Sequence, residues 1–185
     1  MLQARGRFCG LPITLAPGRV FTPRPATERL VRAALARMGD GPKRVADVGT
    51  GTGAIAVALA VYKPQIEVWA TDLSPDAIEL ARRNTEECGV ADRVHVLQGD
   101  LLEPIPVQLD VVVANLPYLP ESLRDPRYDN EPDEAVYALR RDGLDPVRRL
   151  LDECREGMLA VGGVVLIQLY GNVLAANRPQ LEEAA

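Results

Sequence analysis

The residues of this chain that can do chemistry sit where apolar runs end. The first such place is Val45-Ala46-Asp47-Val48-Gly49-Thr50-Gly51-Thr52-Gly53. Glycines at the close of a strand let a ligand approach the backbone, and the helix that follows presents free N–H groups to it. Gly49, Gly51 and Ala54 satisfy a relaxed dinucleotide fingerprint, and Asp72 lies about twenty residues on, where a ribose-binding acid belongs. On the turn alone, a nicotinamide dinucleotide and a nucleoside cofactor are both open. Asp47 separates them: a pyrophosphate needs an anion-accepting turn, which a carboxylate two residues before Gly49 opposes. S-adenosylmethionine carries an ammonium and a sulfonium, and a carboxylate suits both, although an acid here can also serve only to order its loop. Gly99-Asp100-Leu101 ends the next apolar run but one. There Asp100 can accept from an adenine amino group while Leu101 covers the ring, though Gly-Asp is also a common turn pair. The expected cofactor set is therefore Asp47, Gly49, Thr50, Gly51, Gly53, Asp72, Leu73, Asp100 and Leu101, with S-adenosylmethionine as the ligand. No metal is expected, because Cys9, Cys88 and Cys154 are odd in number and far apart and fit neither a disulfide framework nor a ligand pair.

The elements that must position these residues follow from periodicity. Two short β-like runs at 7–9 and 13–15 lie among glycines and prolines and read as a hairpin arm. Leu30, Val31, Ala34, Leu35 and Met38 recur at helical spacing before Gly39. Strands are predicted at 45–48, 66–71, 94–97, 109–114 and 163–169. Between them lie a buried helix at 54–62, one that Ser74-Pro75 caps and Gly89 stops, and one from Asp145-Pro146 to about residue 159. Alternation of this kind predicts an α/β fold with a doubly wound, mainly parallel, Rossmann-like sheet. Residues 1–22 form the arm and 23–185 the main domain.

Bulk composition narrows the function classes. A 185-residue chain that is 47% hydrophobic can bury one core. Its net charge of -5 provides no basic field to draw it onto nucleic acid. The longest apolar run, 54–62, is too short for a membrane span, and Pro12, Thr14 and Pro17 interrupt any leader-like stretch. Together with the unpaired cysteines, this predicts a cytoplasmic protein.

The fourth strand runs into Asn115-Leu116-Pro117-Tyr118. This segment resembles the Asn-Pro-Pro-Tyr motif of amino-group methyltransferases, and its surroundings resemble the release-factor glutamine N5-methyltransferase family. The likeness extends over Phe21-Thr22-Pro23-Arg24-Pro25-Ala26-Thr27-Glu28, the glycine-rich turn, Asp72-Leu73-Ser74-Pro75-Asp76-Ala77, Gly99-Asp100-Leu101-Leu102 and Asp142-Gly143-Leu144-Asp145, covering roughly residues 6–170. It implies methyl transfer from S-adenosylmethionine to a glutamine side-chain nitrogen of a peptide chain release factor. The amide lone pair is delocalised. Asn115 and the Leu116 carbonyl would each accept one N–H and hold the nitrogen toward the methyl group, with developing charge met by oriented dipoles. Pro117 would stiffen the loop, and Tyr118 would offer an aromatic face to the planar substrate. Asn115 also borders the cofactor, and Arg24 and Glu28 would order the segment over the substrate.

The chain departs from the family in several places. Leu116 replaces the first proline, Gln168 replaces an acidic residue, and Ala138-Leu139-Arg140-Arg141 stands where small glycines are usual. The family's helical docking domain is not expected ahead of the arm, and 172–185, short and polar, is not expected to supply the family's further strands. The fifth strand is therefore expected to be an apolar edge that invites a homodimer or a covering partner segment. Two rival functions are an adenine N6-methyltransferase, whose flipped base presents the same planar amino group, and a non-catalytic S-adenosylmethionine-binding module. An NAD-dependent oxidoreductase would leave the Asn115 segment unexplained. His95 alternates with apolar residues and reads as structural.

Overall fold

The computed structural model describes residues 4–41, 43–138 and 142–169. The chain opens with an antiparallel hairpin of β1 (Ala4–Phe8) and β2 (Leu11–Leu15), turned at Cys9 and Gly10, which both have positive φ. Then follow α1 (Thr27–Met38), β3 (Arg44–Val48), α2 (Ala54–Tyr62), β4 (Glu67–Asp72), α3 (Pro75–Glu87), β5 (Val94–Gln98), β6 (Leu109–Ala114), the short β7 (Leu119–Pro120) and β8 (Tyr137–Ala138), α4 (Asp145–Glu153) and β9 (Leu159–Ile167).

Five strands form one parallel sheet in the order β5-β4-β3-β6-β9. The central strands are apolar on both faces because both faces are covered. On one side Val45, Val68, Val111 and Val113 pack under α1, α2 and α3 and against Phe8 and Ile13 of the hairpin. On the other side Ala46, Trp69, Val112 and Ala114 meet Leu150 of α4 and the turn carrying Leu101 and Leu102. The predicted doubly wound, mainly parallel sheet with its amino-terminal hairpin is what the chain forms. His95 lies against Trp69, ring centroids 5.0 Å apart.

The last strand departs from expectation. Helix α4 ends at Glu153, and one wide turn at Cys154–Met158 follows, with Gly157 at φ 114°. β9 then begins at Leu159, earlier than predicted. Leu109 faces Leu159 but Val111 faces Val164, so residues 160–163 bulge outward, with Gly162 at positive φ and Val161 fully exposed. The glycine pair thus marks a bulge within the strand rather than its start. Pairing continues to Gln168, whose N–H donates to the Ala114 carbonyl at 3.0 Å. Leu139, Arg140, Arg141 and the stretch 170–185 lie outside the described residues.

After β3 the chain winds outward through β4 to β5, then returns to place β6 on the other flank of β3. That reversal is a topological switch point, and open α/β sheets bind ligands outside the carboxyl ends of the strands there. Val48 and Ala114 are partners in register. Gly49 and Asn115 are therefore the next residues on two adjacent strands. Among the described residues no helix is long and apolar enough to cross a membrane.

Candidate active site

A cavity of about 390 Å³ opens at this switch point. It is lined by Gly49, Thr50 and Gly51 after β3, Asp72 and Leu73 after β4, Gly99, Asp100 and Leu101 after β5, and Asn115, Leu116 and Pro117 after β6. The glycine-rich turn and the Asn115 turn touch. A Cβ on Gly49 would come 3.0 Å from Leu116 Cδ2, a tight contact, and Gly49 holds φ 69°, a conformation that favours glycine. Leu116, 6% exposed, fills the seam between the turns. Its side chain does packing that a proline ring, shorter and fixed to its own backbone, would not.

Asp72 ties the turn to its neighbour strand. One carboxylate oxygen accepts from the Gly51 N–H and the other from the Ser74 N–H, both at 2.9 Å. Burial raises its pKa, against the pull of the backbone N–H groups of Ser74, Gly51 and Leu73. Each oxygen keeps a further lone pair, which matches a vicinal diol. Leu101 stands at φ 43°, rare for a residue with a side chain, and the Thr71 hydroxyl donates to its carbonyl at 2.8 Å to hold it there. Asp100 lines the cavity, but its carboxylate is also paired with Arg149 of α4.

Asp47 is placed differently from expectation. It is fully buried beneath the turn and does not line the cavity. Its Oδ2 accepts from the Thr50 hydroxyl at 2.6 Å and from the Ala56 N–H at 3.1 Å, while Oδ1 has no partner among the described residues. Desolvation raises its pKa to about 7, with the hydrogen bonds from Thr50 and Ala56 opposing and the nearby charge of Asp72 adding to the rise. It holds the turn from beneath, through Thr50 and the start of α2. Gly53 is also off the lining. Its role is close packing: at φ 76° a Cβ would meet Ala81 Cα and Cβ at 3.0 Å, where α2 crosses α3.

Three further expected residues lie outside the cavity. Tyr118 is buried with Leu119, Tyr128, Val136, Tyr137, Leu144 and Val147, so it packs the segment behind Asn115. Glu28 accepts from the Cys9 N–H at 2.9 Å and pairs with Arg32, fastening the hairpin to α1. Arg24 pairs with Glu131.

The structure adds residues that the sequence reading passed over. Thr27, between Arg24 and Glu28, is 3% exposed and lines the cavity, and its hydroxyl has no partner among the described residues. Its place at the first position of an amphipathic helix was the available signal. Val20, Phe21 and Pro23 line one wall and Pro132, Glu134 and Ala135 another. Gly143 is needed for contact: a Cβ there would stand 2.2 Å from the Tyr118 carbonyl oxygen. The Asp142-Gly143-Leu144 turn thus buttresses the Asn115 segment from behind. Asn84 is fully buried, donating to the carbonyls of Thr14 and Thr52 at 2.9 and 2.8 Å and accepting from the Thr14 N–H at 2.8 Å.

Residues 25–129, more than half of the chain, match the family model of the methyltransferase small domain. The chain is 43% identical over 155 residues to the release factor glutamine methyltransferase of Deinococcus radiodurans, covering 82% of this chain and 54% of that protein. It is 39% identical over 172 residues to the enzyme of the same name from Moorella thermoacetica, covering 91% and 60%. The chain thus spans little more than half the length of these curated relatives. Among solved structures, the Thermus thermophilus 16S rRNA N2 G1207 methyltransferase, in complex with AdoMet and guanosine, superposes with a TM-score of 0.71 at 19% identity, over 99% of this chain and 45% of that one. At that identity the likeness is one of fold. With more than half its length matched by one domain family, the chain belongs to the methyltransferase small domain family.

Proposed function

We propose that this domain transfers a methyl group from S-adenosylmethionine to the side-chain amide nitrogen of a glutamine in a peptide chain release factor. The observation that carries the reading is that Gly49 and Asn115 follow register partners on adjacent strands and line one cavity. A donor held at the first turn and a nitrogen held at the second are then neighbours. The names of the curated relatives support the substrate.

The residues fit the cofactor. Asp72 has lone pairs left for ribose hydroxyls, Leu101 and Leu73 offer apolar cover for a purine, and Gly49 and Gly51 leave the backbone open. The unpartnered Thr27 hydroxyl on the cavity wall is a polar group that a zwitterionic ligand would satisfy. When bound, S-adenosylmethionine supplies an electrophilic methyl on a sulfonium. The protein's own part is orientation. Asn115 Oδ1 and the Leu116 carbonyl accept the two amide N–H groups and favour the pyramidal nitrogen over the planar one as charge develops. Positioning of this kind lowers barriers by about 7–11 kcal/mol when the reacting atoms are held in line. No general base is needed at the nitrogen before transfer, because its proton leaves after the carbon–nitrogen bond has formed.

A methyl-transfer assay with labelled S-adenosylmethionine, release factor, RNA and DNA as acceptors tests the reading. Label on one glutamine of the release factor is the expected result. Label on adenine would replace it with the nucleic acid reading, and binding of the donor without transfer to any acceptor would replace it with a binding module. We further infer that the edge of β9, unpaired among the described residues, is covered by a second copy or a partner segment; a monomeric mass by light scattering at all concentrations would remove the homodimer.

A further inference from the structure

The outer walls of the cavity come from two irregular segments more than a hundred residues apart. Residues 19–25 contribute Arg19, Val20, Phe21 and Pro23, and residues 132–135 contribute Pro132, Glu134 and Ala135. No helix or strand ladder joins them. They meet at Glu131, whose side chain is 5% exposed. One oxygen accepts from Arg24 Nη2 at 2.7 Å and the other from the Thr22 N–H at 2.9 Å. The Arg24 guanidinium lies 5.6 Å from the Phe21 ring centroid and 5.5 Å from that of Tyr128. Those two rings are themselves stacked across the same joint, 6.2 Å apart. A buried carboxylate demands a paired cation, and a planar guanidinium pairs and stacks at once, which an ammonium does not.

The two segments are anchored on opposite halves of the cavity. Val20 packs on Ala77 and Leu80 of α3, and Arg19 Nε donates to Asp76 at 2.9 Å, so the first segment rests beside the glycine-rich turn and Asp72. The second grows directly out of the Asn115-Tyr118 segment, and its ends are clamped by the pairing of Leu119 with Tyr137. The joint therefore runs from the donor half to the acceptor half.

We propose that Arg24 and Glu131 are positioning residues for the acceptor: their pair holds residues 121–136 against residues 19–25 and so fixes the wall beside which the acceptor amide must enter. The kinetic consequence rests on the methyl-transfer reading, whereas the joint does not. Glu131→Gln, Arg24→Gln and the double variant test it, with Arg24→Lys, which keeps the charge but not the plane, as the milder probe should a glutamine variant fail to fold. Amide hydrogen exchange across 121–136 should quicken in every variant. Acceptor KM should rise about ten-fold in each glutamine single, with kcat and donor affinity within about two-fold, and the double should be no worse than the worse single, as expected for residues acting as one unit. Arg24→Lys should fall between. Unchanged exchange in Glu131→Gln, additive losses in the double, or donor binding weakened as much as acceptor KM would each overturn the assignment. If the parent protein methylates nothing, exchange alone still decides the joint, and only the functional reading fails.

Discussion

The two halves of the cavity are built by different means. The donor half is backbone and buried carboxylate: Gly49, Gly51, Asp72 and Leu101 stand at the ends of β3, β4 and β5, and each is fixed by main-chain hydrogen bonds or by space too small for a Cβ. The acceptor half takes Asn115, Leu116 and Pro117 from the segment that follows β6. Its remaining walls are turns of single 3₁₀ type, held by ion pairs and stacked rings. Strand ends of a covered sheet fix the first half rigidly. The irregular wall can vary without disturbing the sheet, so on the proposed methyl-transfer reading it is where choice among acceptors would lie.

Substitutions can break or sharpen that contrast. The largest effect is expected at Asn115→Ala, where turnover should fall roughly 10²–10³-fold, as for loss of one preorganised hydrogen-bonding group, with donor affinity nearly kept. Near-normal turnover in a methyl-transfer assay would defeat the assignment. Next is Gly143→Ala, which forces the Tyr118 carbonyl to shift. Overpacking of this kind costs about 1–3 kcal/mol, or roughly 2–4 °C of Tm for each kcal/mol at this chain length. Turnover should drop more than donor affinity, and a calorimetric melt beside a donor titration separates the two.

Asp72→Ala should do the reverse, weakening donor binding about ten-fold or more through lost ribose contacts and a loosened Gly51 turn, while acceptor KM at saturating donor changes little. Asp47 gives a pH signature instead. Its pKa is raised to about 7 from an ordinary 3.8, so the folded state favours the protonated form. The stability this supplies is complete below the ordinary range and is lost as pH rises from about 4 through 7, on the order of a few kcal/mol. Thermal melts of the ligand-free protein across that window should fall more steeply for the parent than for Asp47→Asn. The smallest effect is expected at Leu116→Pro, which stiffens the loop but empties part of the seam with Gly49; turnover within a few-fold of the parent is the expected outcome.

The donor half was legible from the sequence because it is made of strand ends and glycines, and apolar runs locate strand ends well. Gly49, Gly51, Asp72, Leu101 and Asn115 were placed by that reasoning alone or with the motif. For Asp47, position in the chain says which strand carries it, but only the packing of α2 over β3 says that it points under the turn. For Tyr118, nothing local in the sequence reveals the cluster it forms with the later residues Tyr128, Tyr137 and Val147. The wall at 121–136 left no trace, since successive 3₁₀ turns carry neither the helical period nor the strand alternation. The early start of β9 was hidden by Gly162-Gly163, which reads as a boundary and is a bulge.

Asn84 binds both Thr14 of the hairpin and Thr52 of the donor turn. Arg5 and Thr14 are further tethered to the same helix through Glu87. The hairpin and the donor turn are thus mechanically in series, joined by one side-chain amide. Trimming the first fifteen residues would leave the Asn84 amide with Thr52 alone and so loosen a loop that lies some forty positions later in the chain.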